Sequence, residues 1–252
     1  MGREVVMAVS AVPDLELVGA FDRSTEFEST QQMFGFGVTD VPIGAKIGAM
    51  LDESKPDVLV EFTHLAGAAE HAMAALKRGV AVVIGTSGLN VQDQRAVQLA
   101  AEESGTAAIL VPNFAIGAVL MMQFAERAAK YFPQAEVIEL HHDQKLDAPS
   151  GTASHTAALI ASARDVAPRK LLGAVDKVDG VRGGDVKGVR VHSVRLPGYV
   201  ASQEVLFGGM GERLSIRHDS VDRASFMTGV LLAVREIRHR QGWLVGLDAL
   251  MD

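Results

Sequence analysis

The sequence predicts an α/β protein in two parts: a doubly wound parallel sheet, then an α+β unit built on an open mixed sheet. Two observations predict it. Up to Val111, apolar runs of strand length alternate with helical periods across short loops, the order that puts parallel strands beneath helices on both faces. Beyond Pro112 the later runs alternate apolar and polar residues between glycine-rich breaks, as half-buried strands do. With 48% hydrophobic residues in 252, the chain has enough apolar content for a full core.

The elements follow in order. Val5 to Val12 reads as a short helix, Pro13-Asp14 breaks it, and Leu15 to Phe21 is an apolar strand ending at the carboxylate of Asp22. Ser24 to Ile47 has no sustained period and reads as a long connection. Asp57 to Phe62 is a buried-type strand, Gly67 to Lys77 a helix stopped by Gly79, and Val80 to Ile84 a strand entering the loop Gly85-Thr86-Ser87-Gly88. Gln92 to Glu103 is a helix and Ala107 to Val111 the next strand. A second domain starts near Asn113, with a Met-rich helix from Gly117 to Tyr131, a strand from Glu136 to Leu140, a His-rich loop and a helix from Thr152 to Ala163. Strands at Val189 to Arg195, Ser202 to Phe207 and Glu212 to His218 follow, and the helix Arg223 to Arg238 closes the fold.

Composition narrows the function. A formal charge of −7 argues against a nucleic-acid surface, and the absence of cysteine excludes disulfides, thiolate metal sites and cysteine nucleophiles. The longest apolar stretches are too short to span a membrane, and Met1-Gly2-Arg3-Glu4 begins no signal peptide, so a soluble cytoplasmic protein is expected.

Asp22 stands where a dinucleotide-binding sheet places the acid that accepts from the adenosine ribose hydroxyls, and Arg23 beside it suits a ribose 2′-phosphate. Use of both NADPH and NADH is therefore expected, although a solvated Asp-Arg turn fits these two residues as well. Gly85, Thr86 and Ser87 lie between a strand and a helix, where small residues let a ligand approach the backbone, and Pro112-Asn113-Phe114 reaches the same edge. A tight turn and a domain crossover are the plainer readings of the two segments.

The densest chemistry lies from His141 to Thr152. Two adjacent histidines, Lys145 and a Ser150-Gly151-Thr152 helix start bring proton donors and anion-binding amides within a dozen residues, a set that a dicarboxylate substrate would use in full. Repulsion between a cationic histidine and Lys145 is expected to ease proton release from the lysine. Ser150 is in any case a good N-cap. His141, His142 and Asp143 make a poor metal site, because adjacent strand side chains point to opposite faces and no His-x-x-x-His pair occurs, so no metal is expected. The other histidines, including His64, His71, His155, His192 and His218, are isolated and receive no role.

On Phe62-Thr63, Gly85 to Gly88, Val111-Pro112-Asn113-Phe114, the Glu139 to Thr152 segment and the stretches around Arg213 and Arg223, the chain resembles the 4-hydroxy-tetrahydrodipicolinate reductase (dihydrodipicolinate reductase) family of bacterial diaminopimelate and lysine biosynthesis. The resemblance spans essentially the whole chain. It implies a Rossmann-like dinucleotide-binding domain of residues 1–112 with 222–252, a substrate-binding and tetramerisation domain of residues 113–221, and a homotetramer. By position it makes His141 and Lys145 the proton-handling pair, with His142, Ser150, Gly151 and Thr152 on a substrate carboxylate. Gly2, Asp22, Arg23, Gly85, Thr86, Ser87, Val111, Pro112, Asn113 and Phe114 would hold NADPH or NADH. The family opens with a strand and a Gly-x-x-Gly-x-Met-Gly loop, of which Met1-Gly2-Arg3 matches only the tail, so the expectation is that the native protein is longer. The second reading is a catalytically impaired scaffold or ligand-binding homologue; a metal-assisted hydrolase is a third.

Overall fold

The computed structural model describes residues 1–24, 26–168, 173 and 175–251. In chain order it contains α1 (Gly2–Ser10), β1 (Ala20–Phe21), α2 (Thr30–Phe34), β2 (Ile43–Gly44), α3 (Ile47–Ser54), β3 (Val58–Glu61), α4 (Leu65–Leu76), β4 (Ala81–Ile84), α5 (Val91–Ser104), β5 (Ala108–Leu110), α6 (Ile116–Ala129), β6 (Gln134–His141), α7 (Gly151–Ala163), β7 (Gly184–Val186), β8 (Val189–Arg195), β9 (Ala201–Gly208), β10 (Arg213–Ser220), α8 (Met227–Ile237) and β11 (Trp243–Val245). Two compact units divide it, Met1–Phe114 with Phe226–Asp252, and Ala115–Ser225. Among the described residues no helix is long and apolar enough to cross a membrane.

The first unit holds a four-stranded parallel sheet in the order β11-β5-β4-β3. β4 is buried at all four positions, as a strand covered on both faces must be. Val82, Ile84, Ala108 and Leu110 share one core cluster with apolar residues of α3, α4 and α5, while α8 packs on β3 and β4. Asn90 caps α5 by accepting from the Asp93 amide at 2.8 Å, and Gly105, at φ 65°, ends it in the left-handed region that glycine tolerates.

The second unit is a five-stranded mixed sheet in the order β10-β9-β6-β8-β7. β6 runs parallel to β8 and antiparallel to β9. α6 and α7 cover it, and Val137, Val191, Val205 and Phe207 form its core with Met121, Ala157 and Ile160.

Several expectations need correction. The strand expected over Leu15 to Phe21 pairs only at Ala20–Phe21, with Ile43–Gly44, and this pair is not hydrogen-bonded into the four-stranded sheet. The connection from Ser24 to Ile47, in which residue 25 lies outside the described set, contains α2, β2 and the start of α3. These elements are held by polar contacts rather than an apolar stripe: buried Thr30 donates from Oγ1 to Thr39 O at 2.6 Å and accepts from the Val41 amide at 3.0 Å. That is why no period showed. The last helix does not end the fold, because β11 follows and pairs with β5. β7 forms a hairpin with β8 through Lys187-Gly188, both at positive φ, as a two-residue turn requires.

Candidate active site

In the first unit the expected cofactor residues lie where strands of the parallel sheet, and β1, end. Asp22 follows β1, and its Oδ1 accepts from both the amide and the hydroxyl of Ser24 at 2.9 Å; Arg23 next to it is exposed. Gly85, buried Thr86 and exposed Ser87 follow β4, and Val111 to Phe114 follow β5. Gly2 opens α1, where first-turn amides lack intrahelical partners, and a Cβ placed on it meets nothing within 4 Å. A carboxylate for ribose hydroxyls, a guanidinium for a 2′-phosphate and open helix-start amides together fit a nicotinamide dinucleotide.

Behind this edge lies a network that the sequence reading missed. His71 is not isolated. On α4, its Nδ1 lies 2.9 Å from Glu61 Oε2 at the end of β3, and both side chains are buried. The same carboxylate accepts from the Thr63 amide at 2.6 Å, and Thr86 donates from its hydroxyl to Thr63 O at 3.2 Å. The Glu61–His71 pair thus braces the loop that presents Thr86. Gly85 is required here, because a Cβ on it would lie 2.1 Å from the Phe62 ring, which itself tilts against Phe114. His192 is also paired, with Glu136 at 2.8 Å, and His218 packs directly on Gly117.

In the second unit the loop between β6 and α7 gathers the expected proton-handling and substrate residues. His141 ends β6, and its Nδ1 is hydrogen-bonded to Glu139 Oε2. Glu139 and His141 stand two apart on one strand, hence on one face. Glu139 is fully buried, and Arg195 on β8, which pairs with His141 in the parallel register, reaches both of its oxygens at 2.8 and 2.9 Å. Burial pushes the Glu139 carboxyl up, but hydrogen bonds from His141 and Arg195 outweigh it and hold its pKa at about 2. Glu139 is therefore an acceptor-only carboxylate at neutral pH.

Lys145 Nζ lies 2.7 Å from Asp147 Oδ1, and this contact is the main cause that lowers the Asp147 pKa. His141 thus faces Glu139, and Lys145 faces Asp147. His142 is exposed, and Ser150 caps α7 by accepting from the Ala153 amide at 3.1 Å, leaving Gly151 and Thr152 in the first helical turn. The loop thus brings His141, His142, Lys145 and the α7 N-terminus together within one unit, a composition suited to gripping a carboxylate while moving a proton. Among the described residues no group of three or more acidic or histidine side chains is arranged to hold a metal ion. Glu139 was not singled out in sequence, although its place two residues before His141 on one strand is the signal that would have found it, whereas Arg195, 56 residues after Glu139, carried no local signal.

Residues 1–114 match the family description "Dihydrodipicolinate reductase, N-terminus" and residues 117–251 "Dihydrodipicolinate reductase, C-terminus". The chain is 46% identical over 251 residues to a 4-hydroxy-tetrahydrodipicolinate reductase of Syntrophomonas wolfei, covering all of this chain and 94% of that one. It is 45% identical over 252 residues to the enzyme of that name from Listeria monocytogenes, covering 96% of it. Its fold superposes with a TM-score of 0.87 on a dipicolinate-bound dihydrodipicolinate reductase from Paenisporosarcina sp. TG-14, at 39% identity over 99% of this chain and 95% of that one. An amine dehydrogenase from Mycobacterium smegmatis, 13% identical with a TM-score of 0.63 over 98% of this chain and 93% of that one, shares the fold alone.

Proposed function

The chain belongs to the dihydrodipicolinate reductase family, and on that premise we infer how its residues divide the work of the reaction. It is an NAD(P)H-dependent oxidoreductase that reduces 4-hydroxy-tetrahydrodipicolinate to tetrahydrodipicolinate in diaminopimelate and lysine biosynthesis. The full-length similarity supports this reading over the ligand-binding alternative.

The observation that carries the assignment of roles is the loop between β6 and α7, which carries two histidines and a lysine and ends at a helix start, with His141 and the Ser150 amide hydrogen-bonded to the buried Glu139 carboxylate. The reduced nicotinamide, when bound, supplies the hydride. Asp22 holds the adenosine ribose, Arg23 neutralises a 2′-phosphate when NADPH is used, and the α1 start at Gly2 offers its amides to the phosphates. Gly85, Thr86 and Ser87 with Val111, Pro112, Asn113 and Phe114 line the nicotinamide side. His142 and the first-turn amides of Gly151 and Thr152, set by the Ser150 cap, bind a substrate carboxylate. Once the 4-hydroxyl has left as water, giving the unsaturated ring that takes the hydride, Lys145 donates the proton to the substrate carbon next to the one reduced, with Asp147 as its counter-charge before substrate arrives. His141 exchanges a proton through Nε2, the ring nitrogen that Glu139 leaves available.

The same reading makes the protein a homotetramer of the cytoplasm; the lack of cysteine suits a reducing compartment and the charge of −7 a small-molecule enzyme rather than a nucleic-acid binder. Lys145→Ala tests the central role. Turnover should fall by about 10²–10⁴-fold, the usual contribution of a positioned acid, with the NADPH dissociation constant near wild type. Unchanged turnover would remove Lys145 from the proton-transfer step.

A further inference from the structure

Arg195 lies outside the loop motif, yet it bonds both Glu139 and the loop's main chain. Its Nη1 and Nη2 donate to the two oxygens of Glu139, and Nη2 also donates to Asp147 O at 2.7 Å, in the middle of the loop. Glu139 in turn accepts from His141 Nδ1 at the loop's start and from the Ser150 amide, at 3.3 Å, at its end. One buried ion pair therefore touches the beginning, the middle and the end of the segment from His141 to Ser150.

We propose that Arg195 and Glu139 form a positioning pair that keeps the hydrogen of His141 on Nδ1 and fixes the His141 to Ser150 loop at three points. This deepens the reading of His141 as a proton-exchanging group and rests on it. The chemistry follows from donor and acceptor counting. An ionised carboxylate only accepts, so Nδ1 must carry a hydrogen in either charge state of the ring, and Nε2 is left for exchange with substrate. Glu139 is fully buried, and Arg195 is the permanent cation that bonds both of its oxygens, beside the hydrogen bond from His141. Without Arg195 the carboxylate loses its permanent counter-charge and one of the bonds that orient it, and its hold on which ring nitrogen carries the hydrogen weakens. The remaining neighbours of His141 do not take over this role: β9 places Ala201 opposite it, and Lys145 is held by Asp147.

The bidentate geometry adds a second consequence. Lysine at 195 keeps the charge but has no planar fork to span both oxygens and Asp147 O together. Arg195→Lys should therefore retain an ionised Glu139 and the His141 tautomer while loosening the middle of the loop.

The test uses the full chain and a cycle of four proteins: wild type, Glu139→Gln, His141→Gln and the double variant. Glu139→Gln should lower kcat on the order of 10–100-fold, the typical effect of removing an outer group that orients an imidazole, without changing NADPH affinity. In the His141→Gln background the same change should add almost nothing, because Glu139 acts through His141. Proton NMR reads the hydrogen bond itself: the downfield Nδ1–H signal of His141 should be present in wild type and in Arg195→Lys, where the loop is loosened but the carboxylate is kept, and shifted upfield or lost in Glu139→Gln, whose amide accepts without a charge. Should Glu139→Gln fail to fold, Arg195→Met replaces it in the cycle with the same expectation. Additive losses in the double variant, or an Nδ1–H signal unaffected by either Glu139→Gln or Arg195→Met, would overturn the proposal. If His141→Gln alone keeps full turnover, the failure lies with the assignment of His141 and the positioning role falls with it.

Discussion

Replacing Gly229 by alanine sets two effects against each other. Gly229 lies on α8 in the first unit, and alanine normally favours a helix over glycine by about 1 kcal/mol. Here, however, a Cβ would sit 1.9 Å from the carbonyl oxygen of Phe114 and 2.9 Å from its carbon. An ordinary C···O contact is roughly 3.3–3.6 Å, so the helix and the Val111 to Phe114 segment must part by about 1.4 Å or more. The obstruction is main chain, with no side-chain rotation to relieve it, and belongs at or above the upper end of the usual 1–3 kcal/mol for overpacking. After subtracting the helical gain, Gly229→Ala should destabilise the first unit by about 2 kcal/mol, lowering its melting temperature by roughly 4–8 °C. Calorimetric melting reads this directly. Because Phe114 is assigned to the nicotinamide side, NADPH titration should also show weaker binding. A melting temperature equal to or above wild type would refute the reasoning, since it would mean that helix propensity governs this position and the close approach of α8 to Phe114 is not real.

Other expectations follow from the same contacts. The Glu139 carboxyl, at about 2 against an ordinary 4.5, contributes stability that is complete above the ordinary value and lost as pH falls through about 2, on the order of 3 kcal/mol. Chemical unfolding of wild type and Glu139→Gln should therefore show a stability gap at neutral pH that narrows towards about pH 2; a gap independent of pH would contradict the buried pair. Arg23→Ala should weaken NADPH more than NADH in calorimetric titrations, and an equal loss for both would take Arg23 away from the 2′-phosphate. His71→Leu removes the buried hydrogen-bond partner of Glu61 Oε2, which should lower stability by about 1–3 kcal/mol and, through Thr63 and Thr86, weaken NADPH. Affinity that survives the stability loss would show that the Glu61–His71 pair does not reach the cofactor loop.

The parts of this protein legible in its sequence were those written in local periodicity. The strand Val80 to Ile84 and the helices on either side of it follow from apolar spacing, and the loop from His141 to Thr152 stood out by composition alone. What sequence did not show depends on partners distant in the chain. β11 is three residues long, and only its pairing with β5 makes it a strand. The run before Ala20 has strand composition but no strand neighbour among the described residues, so it stays unpaired. His71 looked solitary because Glu61 sits ten residues away on another element. Arg195 gave no signal for the same reason: a parallel register between β6 and β8 is what brings it to Glu139.

The most direct test of the account is to follow the absorbance of NADPH, and then of NADH, when 4-hydroxy-tetrahydrodipicolinate is added to the purified 252-residue chain. The account predicts catalytic oxidation of the nicotinamide that depends on substrate, with tetrahydrodipicolinate as product and a large loss in Lys145→Ala. Nicotinamide that binds but is not consumed in the presence of substrate would contradict it, and would leave a ligand-binding protein in place of a reductase.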